Sequence, residues 1–503
     1  MTDLSGSGPG RRPGPGPDPA AGAATAAPGT AAAGLDASAV EPAAVPPWRA
    51  RLALLGWAAA LRLLTPLLLL RLLWRARREP LYGHALAERL GLGVPAPPGA
   101  LWLHAVSLGE TRAAQPLVDA LRAARPGLRL LLTHGTATGR EAGAALLRPG
   151  DVQRWLPLDL PGATTRFLRL HRPAAGVLIE TEVWPALQRA AARAGVPMLL
   201  VNARLSDKSL RQGRRFDALL RPAVAGMSAV LAQTGADAQR LVAAGAPAAR
   251  VRVCGNLKFD LVPEPALLER GRRWRTGVAP GRAVVLAASW REGEDEPLLA
   301  AWQRWCTYLH GQGHLLPLLV LVPRHPQRFD EVAGLVQGAG LCMSRRSRWG
   351  QGIAPHDDAA AMPAPADAQA DVWLGDSMRE MPAWYALADV CLLGGSWAPL
   401  GGQNLIEAAA CACPVLMGPH TYNFAAAAED ALAAGAALRC ADLDAALAQA
   451  GAWLGLGLRS VPGDAEPEVR PLPALQAAAL AYATAHQGAA RRMATDILAQ
   501  LPG

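Results

Sequence analysis

From Ala100 onward, short apolar runs alternate with amphipathic segments, and this alternation restricts the chain to few folds. Continuous apolar runs such as Gly176–Ile179 predict strands buried on both faces, which are typical of parallel sheets covered by helices. One series of such runs ends at Val251–Val253, and a second begins at Ala283–Ala288. The sequence therefore predicts an α/β protein with two Rossmann-like domains joined near Asp260–Gly277. In such folds the ligand binds in a cleft at the carboxyl ends of the strands.

Composition divides the 503 residues into five predicted segments. The first, residues 1–48, contains mostly Ala, Gly and Pro with almost no large apolar side chains, which predicts disorder. The others are a membrane-associated helix over residues 49–78, Rossmann-like domains over 79–265 and 278–470, and a C-terminal helix over 471–503.

The membrane-associated segment is predicted from one long apolar stretch. Leu52–Leu73 is about long enough to span a bilayer. Arg62, Pro66 and Arg71 interrupt it, so a helix lying in the membrane interface is an equal alternative, and a buried core helix is a third. The arginine cluster at 75, 77 and 78 predicts that the following domain lies on the cytoplasmic side.

A basic chain favours anionic partners. The net charge is +9 and the pI about 9.6, and only Lys208 and Lys258 are lysines among 50 Lys and Arg. Because no nucleic-acid-binding signature is present, we expect nucleotides, phosphorylated lipids or a membrane surface rather than nucleic acid. Seven cysteines without paired spacing predict reduced thiols in a cytoplasmic environment.

Residues 394–420 combine a predicted strand end, a glycine-rich turn and a helix start in the sequence GGSWAPLGGQNLIEAAACACPVLMGPH. This layout presents backbone N–H groups to an anion. Asn404 and Glu407 are three residues apart and therefore share one face of the helix. An ordinary capped turn is the alternative interpretation, because single Gly-rich turns often match by chance.

Seven further polar clusters follow predicted strands, on the edge where such folds bind ligands. Each alone could be a cap or a solvated turn. They lie at His104–Glu110, Glu180–Glu182, Asn202–Ser206, Gly255–Lys258, Ser289–Glu294, Pro323–His325 and Gly375–Glu380.

Together these clusters resemble a known family. The motifs, in order, are HAVSLGE, ETEVWP, NARLSDKS, GNLKFD, LVPRHPQRF, GDSMREM, GGQNLIEAAA and GPHTYNF, within about Leu52 to Ala434. They are similar to those of the 3-deoxy-D-manno-octulosonic acid (Kdo) transferases, which are membrane-associated glycosyltransferases of the GT-B fold. The resemblance implies transfer of Kdo from CMP-Kdo to the lipid A precursor (lipid IVA), at the cytoplasmic face of the inner membrane, in lipopolysaccharide core biosynthesis.

The resemblance also implies roles for individual residues. Glu110 matches the family's catalytic base, and Glu180 and Lys258 match residues that aid the transition state. The positions that match contacts to the CMP of the donor are Pro323, Arg324, Met378, Arg379, Glu380, Asn404, Leu405, Ile406 and Glu407. No metal or other cofactor is expected, because CMP has a single phosphate that arginine and helix dipoles can stabilise.

Three positions depart from the family pattern. Arg379 replaces a common glycine, Trp290 a small hydroxyl residue and Gln403 a common histidine. The first two put the detailed donor contacts in doubt. The alternatives are therefore another nucleotide-sugar-dependent GT-B enzyme, such as a different glycosyltransferase, an epimerase or a hydrolase, or a catalytically weakened homologue. The basic stretch Arg204–Arg221 suits an anionic amphiphilic acceptor, with a solvated basic face as its alternative.

Overall fold

The computed structural model describes residues 45–349, 362–457 and 469–501. Disorder was predicted for residues 1–48, of which residues 1–44 lie outside the described ranges. Pro47 and Trp48 instead begin a helix. The described part contains two seven-stranded sheets, and all their strand pairs are parallel. The predicted α/β fold with two Rossmann-like domains is confirmed.

The first sheet has the strand order β3-β2-β1-β4-β5-β6-β7. Its strands are β1 (Leu101–His104), β2 (Leu130–His134), β3 (Val152–Trp155), β4 (Ala175–Ile179), β5 (Met198–Ala203), β6 (Ala229–Ala232) and β7 (Val251–Val253). The helices up to β7 are α1 (Pro47–Ala76), α2 (Leu108–Ala124), α3 (Ala137–Gly143), α4 (Pro161–His171), α5 (Pro185–Ala194), α6 (Asp207–Gly213), α7 (Asp217–Ala225) and α8 (Gly235–Ala243).

The second sheet has the order β10-β11-β9-β8-β12-β13-β14. Its strands are β8 (Val284–Trp290), β9 (Leu318–Pro323), β10 (Met343–Arg345), β11 (Val372–Leu374), β12 (Val390–Leu393), β13 (Val415–Met417) and β14 (Ala437–Arg439). The remaining helices are α9 (Pro265–Thr276), α10 (Asp295–Gly311), α11 (Phe329–Gly338), α12 (Met381–Leu387), α13 (Leu405–Ala410), α14 (Ala425–Ala433), α15 (Leu443–Leu454), α16 (Leu472–Ala485) and α17 (Ala489–Leu498).

Helices cover both faces of each sheet, so the central strands are largely apolar, whereas the edge strands β3, β7, β10 and β14 each carry an arginine. In β4 and β12 every residue is buried. Each sheet thus has two hydrophobic core clusters, one per face. Because the strands within a sheet all run in the same direction, their carboxyl ends share one edge, and the polar clusters of the sequence lie there.

The segment expected to join the two domains, Asp260–Gly277, is largely helical. Its helix α9 packs on α12, and Trp274 is fully buried in the second domain's core. Arg270 on α9 donates to Glu380 at 2.8 Å. The connection therefore contributes a helix to the second domain.

Two predicted helices are each divided in two. The basic stretch predicted as one helix over Ser206–Leu220 forms α6 and α7, because Phe216 leaves the helical region at φ −115° and ψ 26°. The C-terminal helix predicted over residues 471–503 forms α16 and α17, which are separated at Gly488 with φ +92°.

These last two helices pack in different domains. Tyr482 of α16 lies in a core cluster of the second domain. Met493 and Ile497 of α17 lie in a core cluster of the first domain, and α17 packs on α2. Asp260 accepts a hydrogen bond from the backbone of Ala490 at 2.6 Å, which fixes the start of α17. The chain thus crosses from the first domain to the second and back.

Helix α1 has 30 residues and is the one helix in the described ranges that is long and apolar enough to cross a membrane. Most of its leucines are exposed; Leu63, for example, is 83% exposed. The indole N–H of Trp57 donates to Asp159 at 2.9 Å, which ties α1 to the first domain. Its exposed apolar surface fits membrane association rather than the buried core helix.

Candidate active site

Glu110 lies in the first turn of α2, because this helix begins at Leu108, three residues before the start at Thr111 that the sequence predicts. Ser107 is the N-cap and accepts a hydrogen bond from the backbone N–H of Glu110. The Glu110 carboxylate accepts from the backbone of Val106 at 2.7 Å and from the Ser107 hydroxyl at 3.1 Å. The Ser-x-x-Glu spacing is that of a capping box, with the Glu110 carboxylate bonded to the N–H of Val106, the residue before the N-cap, rather than to that of Ser107. Glu110 is therefore both a helix-capping residue and a carboxylate at the edge of the cleft.

Glu180 follows β4 directly and is buried. Its backbone has φ +67°, an unfavourable conformation for a residue with a side chain. One carboxylate oxygen accepts from Arg204 at 3.0 Å, and the other lies 3.7 Å from the ammonium of Lys258. Two cations thus hold this carboxylate, and the structure brings Glu180 and Lys258 together as the motifs suggest.

Burial and mutual repulsion tune the charges of this cluster. Burial raises the pKa of Glu110, and the charge of Glu180 adds to the effect, although the hydrogen bonds from Val106 and Ser107 oppose it. Burial lowers the pKa of Lys258, while the neighbouring Glu180 raises it. A carboxylate with a raised pKa is a stronger base than an ordinary glutamate.

Glu182 belongs to the same cluster, and sequence reasoning assigned it no role. Burial, followed by the charge of Glu110, raises the pKa of Glu182 to about 7. Trp184 donates to its carboxylate at 2.7 Å. His104 Nε2 lies 3.9 Å from Glu182 and has no hydrogen-bond partner in the described part of the chain. The second glutamate of the ETE motif, directly after a strand, was the signal that could have identified it.

The glycine-rich turn at Gly394–Ser396 does not present free N–H groups to an external anion. The buried carboxylate of Glu294 accepts hydrogen bonds from the backbones of Gly395, Trp397 and Ala398 at 2.7, 2.9 and 3.1 Å. An internal carboxylate therefore occupies these three N–H groups, so the predicted anion site stays a prediction only for the start of the helix that follows.

The helix start after this turn keeps its polar face. Asn404 is the N-cap of α13, and its side chain accepts from the backbone of Ile406 at 3.2 Å. Glu407 lies one turn further on, half-buried, while Leu405 and Ile406 are buried in the core. Burial raises the pKa of Glu407, and the charges of Arg112, Arg324 and Lys258 oppose that shift. These oppositely charged neighbours come from both domains, so Glu407 faces the cleft.

Arg324 follows β9 and is exposed at the cleft edge, whereas Pro323 is buried. The guanidinium of Arg324 donates to the side chain of Gln403 at 3.2 Å, and the backbone N–H of Arg324 donates to the carbonyl of Trp290 at 2.8 Å. Gln403, which replaces the family's common histidine, thus orients Arg324. The indole of Trp290 is fully buried in a core cluster, so that substitution affects packing.

The segment Met378–Glu380 divides into exposed and buried parts. Met378 and Arg379 are exposed, and Arg379 has φ +67°. Glu380 is buried, and its carboxylate accepts from Arg270 and Arg346, each at 2.8 Å. Because two arginines bind this carboxylate, we expect Glu380 to contact a nucleotide through its backbone and not through its side chain.

One contact joins the two sides of the cleft directly. The ammonium of Lys258, from the first domain, lies 5.0 Å from the centre of the Phe424 ring, which precedes α14 in the second domain. This distance permits a cation–π interaction. The chain's second lysine, Lys208, is exposed on α6.

No group of three or more His, Cys, Asp or Glu in the described ranges could hold a metal ion. Catalysis without a cofactor stays a prediction.

The seven cysteines are free thiols, in agreement with the expected reduced state.

Two Rossmann-like domains, with a Glu110–Glu180–Lys258 cluster facing Arg324 and Glu407 across a cleft, define an enzyme of the GT-B type. The solved structure of UDP-GlcNAc 2-epimerase from Neisseria meningitidis supports the fold alone. It aligns over 80% of this chain and all of its own, with a TM-score of 0.52 at 14% identity.

Sequence comparison identifies the family within this class. The family model of the 3-deoxy-D-manno-octulosonic-acid transferases matches residues 84–261. The chain is 49% identical to the 3-deoxy-D-manno-octulosonic acid transferase of Bordetella pertussis, over 86% of this chain and 96% of the relative. It is 34% identical to the Haemophilus influenzae enzyme of that name, over 69% and 78%. The chain belongs to the Kdo transferase family and is a glycosyltransferase.

Proposed function

We propose that the protein transfers Kdo from CMP-Kdo to the lipid A precursor lipid IVA, at the cytoplasmic face of the inner membrane. The observation that supports this most is the convergence of Glu110, Glu180 and Lys258 at one side of a cleft whose other side holds Arg324 and Glu407. A carboxylate base and the Lys258 ammonium thereby face an arginine and a glutamate that suit the phosphate and ribose of a nucleotide.

Glu110 acts as the general base. The acceptor hydroxyl oxygen bonds to the anomeric carbon of Kdo while the bond from that carbon to the CMP phosphate oxygen breaks. The hydroxyl proton passes to Glu110, and the electron pair leaves with CMP. The raised pKa of Glu110, caused mainly by burial, makes its carboxylate a better proton acceptor at neutral pH.

Lys258 stabilises the charge that develops on the departing phosphate. Glu180 fixes the ammonium from 3.7 Å, and Arg204 shares the same carboxylate. Because Lys258 is largely buried, its electrostatic effect is stronger than that of a solvated lysine.

The second domain binds CMP. Arg324 is placed to bind the phosphate, and Glu407 to accept hydrogen bonds from ribose hydroxyls. Further contacts to CMP, through backbone atoms or through side chains next to these two residues, are assigned to Pro323, Met378, Arg379, Glu380, Asn404, Leu405 and Ile406. Helix α1 holds the enzyme at the membrane from which the acylated acceptor is presented.

The test is a purified-protein assay with CMP-Kdo and lipid IVA in detergent micelles, followed by mass spectrometry. We expect wild type to add Kdo, and Glu110→Gln to lower kcat by about 10²–10⁴-fold, the usual effect of losing a general base. Glu141→Gln, at an exposed glutamate on α3, is the matched control and should keep wild-type rates. No product from wild type contradicts the proposed function, and a near-normal rate of Glu110→Gln contradicts only the base assignment.

A further inference from the structure

We propose that an apolar cavity beneath α6 and α7 binds an acyl chain of the acceptor; this inference rests on the proposed function. The cavity encloses about 200 Å³. Its apolar lining comes from β5, α6, α7, α8 and the loops beside them, chiefly Val183, Leu200, Leu205, Leu210, Leu220 and Leu241.

The cavity opens beside the catalytic cluster. Thr181 and Arg204 belong to its lining. Thr181 stands in the chain between Glu180 and Glu182, and Arg204 donates to Glu180 at 3.0 Å. A chain attached to a sugar that is bound at the carboxylates therefore has an apolar site within immediate reach.

The cover of the cavity is loosely packed. Helix α6 and the turn Arg214–Phe216 contain no buried residue, and Leu205, Leu210 and Leu220 are only half-buried. Apolar side chains that face a cavity without close packing lose dispersion contacts, which an apolar occupant restores. The cover can thus adjust to a flexible chain at low cost.

The surrounding charge selects an anionic amphiphile. Arg204, Arg214 and Arg221 line the cavity together with Asp217, whose carboxylate pairs with Arg221 at 2.8 Å, and Lys208, Arg211 and Arg215 are exposed on the same stretch. An acyl chain in the cavity leaves an attached phosphate near these cations. The apolar lining disfavours a nucleotide or a bare sugar, and the volume is below the roughly 300–1,000 Å³ of pockets that enclose whole ligands.

The position of the cavity relative to α1 agrees with its assignment to an acyl chain of the acceptor. Helix α7, which forms part of the cover, also packs on α1. The cavity therefore lies between the membrane-associated helix and the catalytic carboxylates, on the path of an acceptor that enters from a bilayer.

Leu210→Trp fills the cavity from its cover and tests the inference. Gln212→Trp, on the exposed side of α6, is the matched control. Each variant is assayed with lipid IVA and with its deacylated bisphosphorylated disaccharide. We expect Leu210→Trp to raise KM for lipid IVA roughly tenfold, the effect of losing about two buried methylenes. Rates with the deacylated acceptor should equal those of wild type, which also shows that the variant folds.

An unchanged KM of Leu210→Trp for lipid IVA would overturn this inference while the proposed function stands, and no product from wild type with either acceptor would overturn the proposed function itself. A second measurement uses lipid IVA with a diazirine on an acyl chain. We expect crosslinks to peptides that contain Val183 or Leu205–Leu220. Equal labelling of those peptides by diazirine-tagged phosphatidylglycerol in vesicles would show a bilayer lipid as the occupant and overturn the assignment to the acceptor.

Discussion

Glu110 and Glu182 should lose their protons in sequence rather than together. The charge of Glu110 contributes to raising the pKa of Glu182 to about 7, whereas Glu110 responds to burial and to Glu180. Glu182 is thus still protonated while Glu110 ionises. Near neutral pH Glu110 is thus a basic carboxylate, while Glu182 is in the middle of its titration.

This order predicts the pH profile of catalysis. kcat/KM should rise as Glu110 loses its proton, above the ordinary glutamate pKa of 4.5. It should fall above about pH 7, because ionised Glu182 repels the phosphate-bearing substrates. Glu182→Gln should lose the falling limb and keep the rising one. Measurement of kcat/KM from pH 5 to 9 tests this, and a falling limb retained near pH 7 in the variant would contradict it.

Arg379 carries a local strain that glycine would remove. At φ +67° a side chain costs roughly 1–2 kcal/mol, and the Arg379 side chain is exposed. Relief of this strain in Arg379→Gly should therefore raise the free energy of unfolding by up to about 1 kcal/mol. The greater conformational entropy of glycine in the unfolded chain offsets part of this gain. Arg379→Gly should also lower KM for CMP-Kdo if the arginine crowds the nucleotide. Urea unfolding and kinetics measure the two effects, with Met378→Gly, at a residue without positive φ, as the control for stability alone. A less stable Arg379→Gly would refute the strain argument.

At the scale of elements, apolar strands were the most predictable feature. Val372–Leu374 and Val390–Leu393 have the predicted bounds, because a strand buried on both faces must be apolar throughout. Val251–Val253 also has the predicted bounds, although Arg252 and Val253 are exposed. The strand Met343–Arg345, in which two of three residues are polar, gave no such signal. Helices α8 and α15 were also missed, and for α15 its alanines and glycine weaken the contrast between the two faces.

The glycine turn shows what sequence reasoning leaves out. Its geometry was predictable, and Gly395, Gly401 and Gly402 all have positive φ. The group that fills it was not, because Glu294 lies about a hundred residues earlier and only the tertiary fold brings it to the turn. The same limit applied to Glu380, whose partners Arg270 and Arg346 come from other elements. Roles assigned by motif stay predictions, whereas placement at the strand ends could be derived.

In the molecule as a whole, the Lys258–Phe424 contact links the proposed catalytic cation to the second domain. The phenyl ring meets the ammonium only when both sides of the cleft are close. We therefore expect Phe424 to act as a positioning residue that holds Lys258 against Glu180.

Phe424→Leu should lower kcat by roughly 2- to 30-fold, which corresponds to a cation–π energy of about 0.5–2 kcal/mol. Phe424→Tyr keeps an aromatic face and should restore most of the rate. Tyr422→Leu, at a neighbouring aromatic residue that is 62% exposed, is the control for a general effect on the loop. Steady-state kinetics decide the matter, and equal rates for Phe424→Leu and wild type would exclude the positioning role.

The return of the chain to its first domain has a consequence for biosynthesis. The first core includes Met493 and Ile497, which leave the ribosome after the entire second domain has been translated. Until then the face of α2 that receives α17 stays uncovered, with apolar groups such as Cys254 and Leu257 of the same cluster nearby. The amino-terminal half is consequently a candidate for chaperone binding during translation, and its core is completed only when the last helix packs.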